Sequence, residues 1–532
     1  IKQNSLYRMV NTGVKLLTTL LLVCSGLQAV HNAKILAIFN LASPSHYIFN
    51  RALILALAER GHQVTVISQD QEKKPVPNVK SILLENIYNS TQQSIDYDSF
   101  TQMSLWDALG ILFDWGSTMC EKQIQTKGAQ TLLNSTEKFD LIITEVAWGE
   151  CFFGFIHKFG SPPVVATSGI GVLPWLSLMI GNPENPSYMP NFLLPVPLSS
   201  HMSFGERVFN FLIHNLVTFL YDYYYIPKQG SIARKFFKDL PPFDTINRNF
   251  SIVLVNTVLG LDEPRPLLPN VIPIGGMHIK AKSDPLPKEL QKFLDEAKDG
   301  FIYFSLGTNL RSDQISDEKR KALLDAFSEI PQRVLWKFET ENMFDLPSNV
   351  KISKWLPQSD VLAHSNIKAF ISHGGLMSTM EATYRAVPVV GVPFFLDQQN
   401  NIKKLVSKGV GVHLDYRTLT KQSILTALRE VLQNDSYHLN MKKLSAIFKD
   451  QINSPLDRAV FWTEYVIRHK GAPHLRSAAQ DLYWYQYLLL DVILVLSAGI
   501  LLVVFVLYFV AKVMVRTVTK LKRKSTTKTK TN

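Results

Sequence analysis

Two doubly wound α/β domains with a ligand cleft between them, followed by a membrane helix near the carboxyl terminus, are what the sequence predicts. Three observations carry this. Short continuous apolar runs alternate with helical periodicity through both halves of the chain, as buried parallel strands and their crossover helices require. A proline-rich stretch, Glu263 to Pro273, separates the halves. Val492 to Ala511 is twenty residues without a charge, long enough at about 1.5 Å per residue to cross the roughly 30 Å hydrocarbon layer of a bilayer.

In the first half, Ala33 to Asn40 is a continuous apolar run bounded by a turn, Tyr47 to Glu59 carries apolar residues at helical spacing, and Gln63 to Ser68 is β-branched again after Gly61. That order is a βαβ unit with a parallel strand pair. Phe139 to Thr144 and Pro163 to Thr167 read as further buried strands. In the second half, Phe301 to Ser305, Arg333 to Phe338, Val350 to Ile352, Ala369 to Ile371 and Pro388 to Val392 are strands with helices between them. Joined near 262–285, two such sheets would face a cleft across the carboxyl ends of their strands, where α/β proteins bind ligands. The segment Phe204 to Tyr225 is unusually aromatic and reads as a core helix or, alternatively, as the wall of an apolar acceptor pocket or a patch on the lumenal membrane face.

The two ends give the address. From Met9, the expected start, Lys15 precedes the apolar run Leu16 to Val23 and small residues around Ala29, the three-part layout of a secretory signal peptide. Tyr483, Trp484, Tyr485 and Tyr487 stand just before the apolar span, where amphipathic rings prefer the headgroup layer. Lys512, Arg516, Lys520, Lys522, Arg523, Lys524, Lys528 and Lys530 follow it with no acid among them, which places the tail in the cytosol. Lys528 and Lys530 resemble the dilysine retrieval signal of type I membrane proteins of the endoplasmic reticulum. The partition is therefore a signal peptide at 9–29, domains at 30–265 and 266–470, a juxtamembrane segment at 471–487, a membrane helix at 488–511 and a basic tail at 512–532. The body is expected in the lumen of the endoplasmic reticulum, in a single-pass type I orientation. Sequons at Asn89, Asn134, Asn249 and Asn434 suit that compartment.

Of the formal net charge of +12, eight charges sit in that tail, so the body has an ordinary balance and no basic groove for a nucleic acid. Cys120 and Cys151 have no metal-ligand spacing; the sequence leaves open whether they pair or stay free.

The stretch that carries chemistry is Trp355-Leu-Pro-Gln358, then Ser372-His373-Gly374-Gly375, Ser378, Glu381, Pro388, Pro393 and Asp397-Gln398. The His-Gly-Gly turn follows a strand and opens the helix Leu376 to Arg385, so free N–H groups and the helix dipole are offered to a phosphate. Glu381 suits ribose hydroxyls, and Asp397-Gln398 offers an acceptor and a donor to sugar hydroxyls.

This set resembles the signature of the UDP-glycosyltransferase family that includes the animal glucuronosyltransferases. The resemblance runs from Ser43-Pro-Ser-His46 through Asp262-Glu-Pro-Arg-Pro-Leu-Leu-Pro-Asn270, Gly275-Gly276 and Phe304-Ser305-Leu-Gly-Thr308 to the membrane span, with wording similar to insect members. It implies a GT-B fold with an amino-terminal acceptor domain and a carboxy-terminal UDP-sugar domain. It implies that Trp355 stacks on uracil beside Gln358, that Ser305, Thr308, His373 and Gly375 approach the diphosphate, that Glu381 takes the ribose, and that Asp397 and Gln398 take the sugar. His46 matches the catalytic histidine, a general base needing no metal or other cofactor, with the UDP-sugar as co-substrate. The acceptor would be a small lipophilic hydroxyl compound, the setting detoxification or endobiotic conjugation, the donor UDP-glucose as in insect relatives, and dimers are common in the family.

Two positions depart from the family pattern. The partner carboxylate of the histidine, usually Asp, falls on Glu145, one methylene longer, with Glu150 as a second candidate. Met377 stands where vertebrate relatives carry Asn, so a diphosphate contact is lost or is replaced by Ser378 or a backbone N–H. These departures sustain a rival reading, a binding protein of the same fold with little or no turnover. Asp96-Tyr-Asp98 has the spelling of a metal-binding transferase motif but reads as loop, and Gly169-Ile-Gly171 stops at Pro174 short of a dinucleotide fingerprint.

Overall fold

The computed structural model describes residues 32–88, 97–194, 202–340, 343, 345–395 and 397–528; the expected signal peptide, Asn89 and Asp96 lie outside them. The first sheet is built from β1 (Lys34–Phe39), β2 (Gln63–Ser68), β3 (Val79–Leu83), β4 (Leu141–Glu145), β5 (Val164–Ser168), β6 (Phe250–Val255) and β7 (Val271–Pro273). The second contains β8 (Phe301–Ser305), β9 (Arg333–Lys337), β10 (Val350–Ser353), β11 (Ile367–Ser372), β12 (Val389–Gly391) and β13 (Gly411–His413). All pairings are parallel. The orders are β3-β2-β1-β4-β5-β6-β7 and β10-β9-β8-β11-β12-β13. Each contains the doubly wound arrangement in which the chain reverses direction across the sheet between its first and fourth strands, and a crevice opens at that switch point. β1/β4 is the switch point of one sheet and β8/β11 that of the other.

The helices that matter for the site are α1 (Pro44–Glu59), α2 (Leu105–Ile124), α3 (Phe204–Leu220), α4 (Leu376–Tyr384), α5 (Asp397–Ser407) and α6 (Pro455–Arg468). α1 starts three residues before the predicted Tyr47, because Pro44 occupies its first turn with φ already set for a helix. His46 is therefore held on a helix and is not on a loop. The predicted boundary at 265 shifts: the Val-Ile pair of β7 completes the first sheet beside β6. α6, predicted to belong with the second domain, buries Ala459, Val460 and Val466 in the apolar cluster of β1, α1 and β6, so the chain crosses back to the first sheet before it ends. Tyr97, in a short helix Tyr97–Thr101 where a loop is expected, is buried in the core of the second sheet. Its hydroxyl donates to the Arg311 carbonyl at 2.8 Å and accepts from the Arg311 N–H at 2.6 Å.

The aromatic segment divides by face. α3 runs into a π-helical turn, Tyr221–Tyr225, in which the Ile226 N–H reaches back five residues to the Tyr221 carbonyl. Pro227, lacking an N–H and clashing with the preceding turn, accounts for the widened register. Tyr221 and Tyr225 are fully buried as the core reading requires, while Phe204, Phe209, Phe211, Phe219, Tyr223 and Tyr224 are exposed. Cys120 on α2 and Cys151 form a disulfide.

Residues 477–532 form a separate unit. It holds α7 (Leu490–Lys528), whose 34-residue stretch Leu490–Arg523 is long and apolar enough to cross a membrane. The helix continues through the basic residues expected to form a separate tail.

Candidate active site

At the first switch point, His46 in the opening turn of α1 meets Glu145 at the end of β4: Nδ1 donates to Oε1 at 2.6 Å. Oε1 also accepts the Gly169 N–H at 3.1 Å, and Oε2 accepts from Asn50 Nδ2 at 3.0 Å. The Glu145 side chain is 1 % exposed and that of His46 12 % exposed, so the carboxylate is sealed while the imidazole retains an opening. With Nδ1 committed to Glu145, Nε2 is the acceptor of the neutral ring, the tautomer a base toward a hydroxyl requires. Gly169, just after β5, is where the backbone must pass close: a Cβ there would lie 2.8 Å from both Glu145 Oε1 and His46 Nδ1. Burial pulls the imidazole pKa down, but the Glu145 charge and hydrogen bond, with Asp397 adding to them, bring it above its ordinary value. The extra methylene of glutamate is thus accommodated at full hydrogen-bonding contact. Glu150 plays no part in this pair: it points into the aromatic core, accepts from the Tyr221 hydroxyl at 2.7 Å, and burial pushes its pKa up.

At the second switch point, Ser305 ends β8 and His373 follows β11, both buried, and Thr308 is exposed on the loop beyond Ser305. Gly375 is the N-cap of α4; a Cβ there would strike His373 Nε2 at 2.4 Å, so glycine lets the ring lie close against the helix N-terminus. Burial, with nearby Lys337 contributing, lowers the His373 pKa to about 4, which leaves a neutral ring able to donate one hydrogen bond. Gln358 Nε2 donates to Ser378 Oγ at 2.9 Å and to Glu381 Oε2 at 2.6 Å. Burial raises the Glu381 pKa to about 7, the Gln358 hydrogen bond opposing it. Trp355 is 67 % exposed, with Lys73 Nζ 5.7 Å from its ring centroid.

Asp397 and Gln398 open α5. Asp397 Oδ2 accepts from Asn401 at 2.7 Å, and burial raises its pKa. Gln398 Oε1 accepts the Phe394 and Phe395 N–H groups at 2.9 and 3.3 Å, which fixes its amide and leaves the NH₂ as donor. Met377 packs against the apolar cluster that contains Phe49 and Leu53 of α1: its side chain joins the two domains, a physical use for an apolar residue here. Ser43 of the loop before α1 meets Asn309, beside Thr308, at 3.0 Å, and Lys404 pairs with Asp262 at 2.8 Å, so the two switch points are tied together.

Three residues near these groups carry no motif of their own. Asn50 and Gly169 hold the Glu145 carboxylate, and His278, just past Gly275-Gly276, lies 3.9 Å from Glu381 Oε1 with both ring nitrogens unbonded among the described residues. For Asn50 the available signal is its spacing of four from His46 on one helix face. Of the sequons, Asn134 is exposed, Asn434 caps a helix through the Ser436 N–H at 3.1 Å, and Asn249 is half-buried with its amide on the Ile246 carbonyl at 3.2 Å.

Two parallel sheets of one topology, with a His–Glu pair at one switch point and a glycine-capped helix N-terminus at the other, have the architecture of the GT-B class of glycosyltransferases. Solved structures of that class are similar in fold. UDP-glucose:anthocyanidin 3-O-glucosyltransferase in complex with UDP matches with a TM-score of 0.52 at 18 % identity, covering 82 % of this chain and 99 % of that one. The calicheamicin glycosyltransferase CalG4 gives 0.52 at 17 % identity, covering 82 % and 99 %. The family model for UDP-glucoronosyl and UDP-glucosyl transferases matches residues 33–525, and the chain belongs to that family of UDP-sugar-dependent transferases. Similar relatives include UDP-glucosyltransferase 2 of Dactylopius coccus, 42 % identical over 91 % of this chain and 94 % of its own. UDP-glucuronosyltransferase 2B1 of Rattus norvegicus is 34 % identical over 87 % and 90 %, and the 2-hydroxyacylsphingosine 1-beta-galactosyltransferase of the same species is 33 % identical over 95 % and 93 %.

Proposed function

We propose that this chain transfers a hexose, glucose in preference to glucuronic acid, from a UDP-sugar to the hydroxyl of a small lipophilic acceptor, with inversion at the anomeric carbon. The observation that carries the reading is the His46–Glu145 contact of 2.6 Å, in a cleft where Asp397 of the other domain is near enough to act on the imidazole. Nε2 of His46 takes the acceptor proton as the oxygen attacks the anomeric carbon, the bond to UDP breaks, and Glu145 steadies the imidazolium that forms. Trp355 stacks on uracil, Gln358 lies beside it, and Glu381 holds the ribose. Ser305, Thr308, His373, Gly375, Ser378 and the N-terminus of α4 receive the diphosphate charge, so the departing group is stabilised by protein donors and no metal is asked for. Asp397 and Gln398 hold the sugar. The name of the Dactylopius relative supports glucose. The disulfide suits an oxidising lumen and the apolar α7 a single membrane crossing, which supports placement in the endoplasmic reticulum with the catalytic body lumenal and a role in conjugating foreign or endogenous compounds.

Release of UDP from UDP-glucose and from UDP-glucuronic acid, measured over a panel of phenols and sterols, tests this. Faster release from UDP-glucose is expected. A preference for the glucuronate would reverse the sugar assignment, and release from neither, by protein that binds UDP, would favour the non-catalytic binding protein.

A further inference from the structure

We propose that Asn50 is a positioning residue for the transfer step, the third member of a His46–Glu145–Asn50 unit; this rests on the reading of His46 as the base. Asn50 is completely buried and lies one turn beyond His46 on the same face of α1. Its Nδ2 donates to the His46 carbonyl at 3.0 Å and to Glu145 Oε2 at 3.0 Å. Both neighbours are acceptors, so the orientation of the amide is fixed by chemistry: the nitrogen must face them. Its Oδ1 then has no partner among the described residues. An unpaired buried acceptor is a cost that an apolar side chain of the same size would avoid, which points to a use for the amide beyond packing.

That use is visible in the carboxylate. Oε1 of Glu145 is taken by His46 and Gly169, whereas Oε2 has Asn50 as its one donor among the described residues. Glutamate has one more rotatable bond than aspartate, and a hold on a single oxygen leaves the carboxylate free to swing about it. One amide that grips both Oε2 and the backbone bearing His46 fixes base and carboxylate as a unit. Asn50 touches neither sugar nor acceptor in this arrangement and acts through Glu145.

The test uses the full-length protein in detergent with UDP-glucose and 4-nitrophenol, comparing Asn50→Leu and Asn50→Ala alone and on a Glu145→Ala background. Loss of a buried hydrogen bond to a charged group is expected to lower kcat about 10- to 100-fold. KM for UDP-glucose and Kd for UDP should stay within about twofold, as expected of an interaction used only in the chemical step. The rising limb of the kcat–pH profile, set by an imidazole that faces Glu145 from its own domain and Asp397 from the other, should move to lower pH as the hold of Glu145 weakens. With Glu145 already removed, the Asn50 changes should lower kcat no further. A folded Asn50→Ala variant with wild-type kcat and pH limb would overturn the assignment, as would an equal loss in both backgrounds; if Asn50→Leu does not fold, Asn50→Ala decides alone. Wild-type protein that binds UDP yet transfers nothing fails the transferase reading and Asn50 with it, whereas active wild type with indifferent Asn50 variants fails Asn50 only.

Discussion

His46→Ala is expected to lower turnover by about 10²- to 10⁴-fold, roughly 3 to 5 kcal/mol of barrier, while leaving UDP affinity nearly unchanged. The ring is backed by a carboxylate on Nδ1 and its side chain is partly open, and it lies on the opposite domain from the expected nucleotide contacts. Glu145→Ala should act in the same direction and more weakly, and the two losses should be sub-additive, because the carboxylate works through the imidazole it orients. The pH dependence follows from the direction of the shift. Contact with Glu145 and the charge of Asp397 outweigh burial and raise the pKa of His46 above its ordinary value of 6.5. The base form therefore predominates only above that raised value, and kcat should rise with pH through it and level off on the alkaline side. Loss of expression together with weakened UDP binding in His46→Ala would instead indicate a role in folding, and full activity in a well-folded variant would remove His46 from the mechanism.

Trp355→Ala is expected to weaken UDP binding about 5- to 150-fold whichever acceptor is present, since stacking of a base on an aromatic ring contributes roughly 1 to 3 kcal/mol. The indole is largely exposed next to Gln358, so its removal opens no cavity in the core and leaves the melting temperature close to that of wild type. Calorimetric titration of UDP into the variant is the check. An unchanged affinity would take Trp355 out of the nucleotide site and leave Lys73, which lies over its ring, as the clue to another use.

How far these groups were legible in the sequence depended on how local their signals were. β1, β4, β5 and β8 are buried on both faces and appear as short, mostly apolar runs, and β2 as a β-branched segment after Gly61. β3 is an edge strand with mixed exposure, and β13 has three residues, so neither leaves such a run. The helical setting of His46 was concealed by Pro44, which reads as a breaker unless it is recognised as a first-turn residue. The donor motif was legible because its members fall within one βαβ stretch. By contrast, Asn50 and Gly169 meet Glu145 across 95 and 24 residues of sequence, a convergence made by the order of the strands and carried by no local pattern. The exposed row on α3 was ambiguous because composition reports how aromatic a helix is and not which face its neighbours cover; of the segment's aromatic residues only Tyr221 and Tyr225, within the π-helical turn, are buried.

The proposed step is the displacement of UDP, from the face opposite the leaving group, by a hydroxyl activated by His46. It is tested most directly by the anomeric configuration of the product, read by NMR after incubation of the wild-type protein with α-linked UDP-glucose and a simple phenol. A β-glucoside formed in step with an equal amount of UDP is expected. An α-glucoside, or the absence of product from protein that binds UDP, would contradict it.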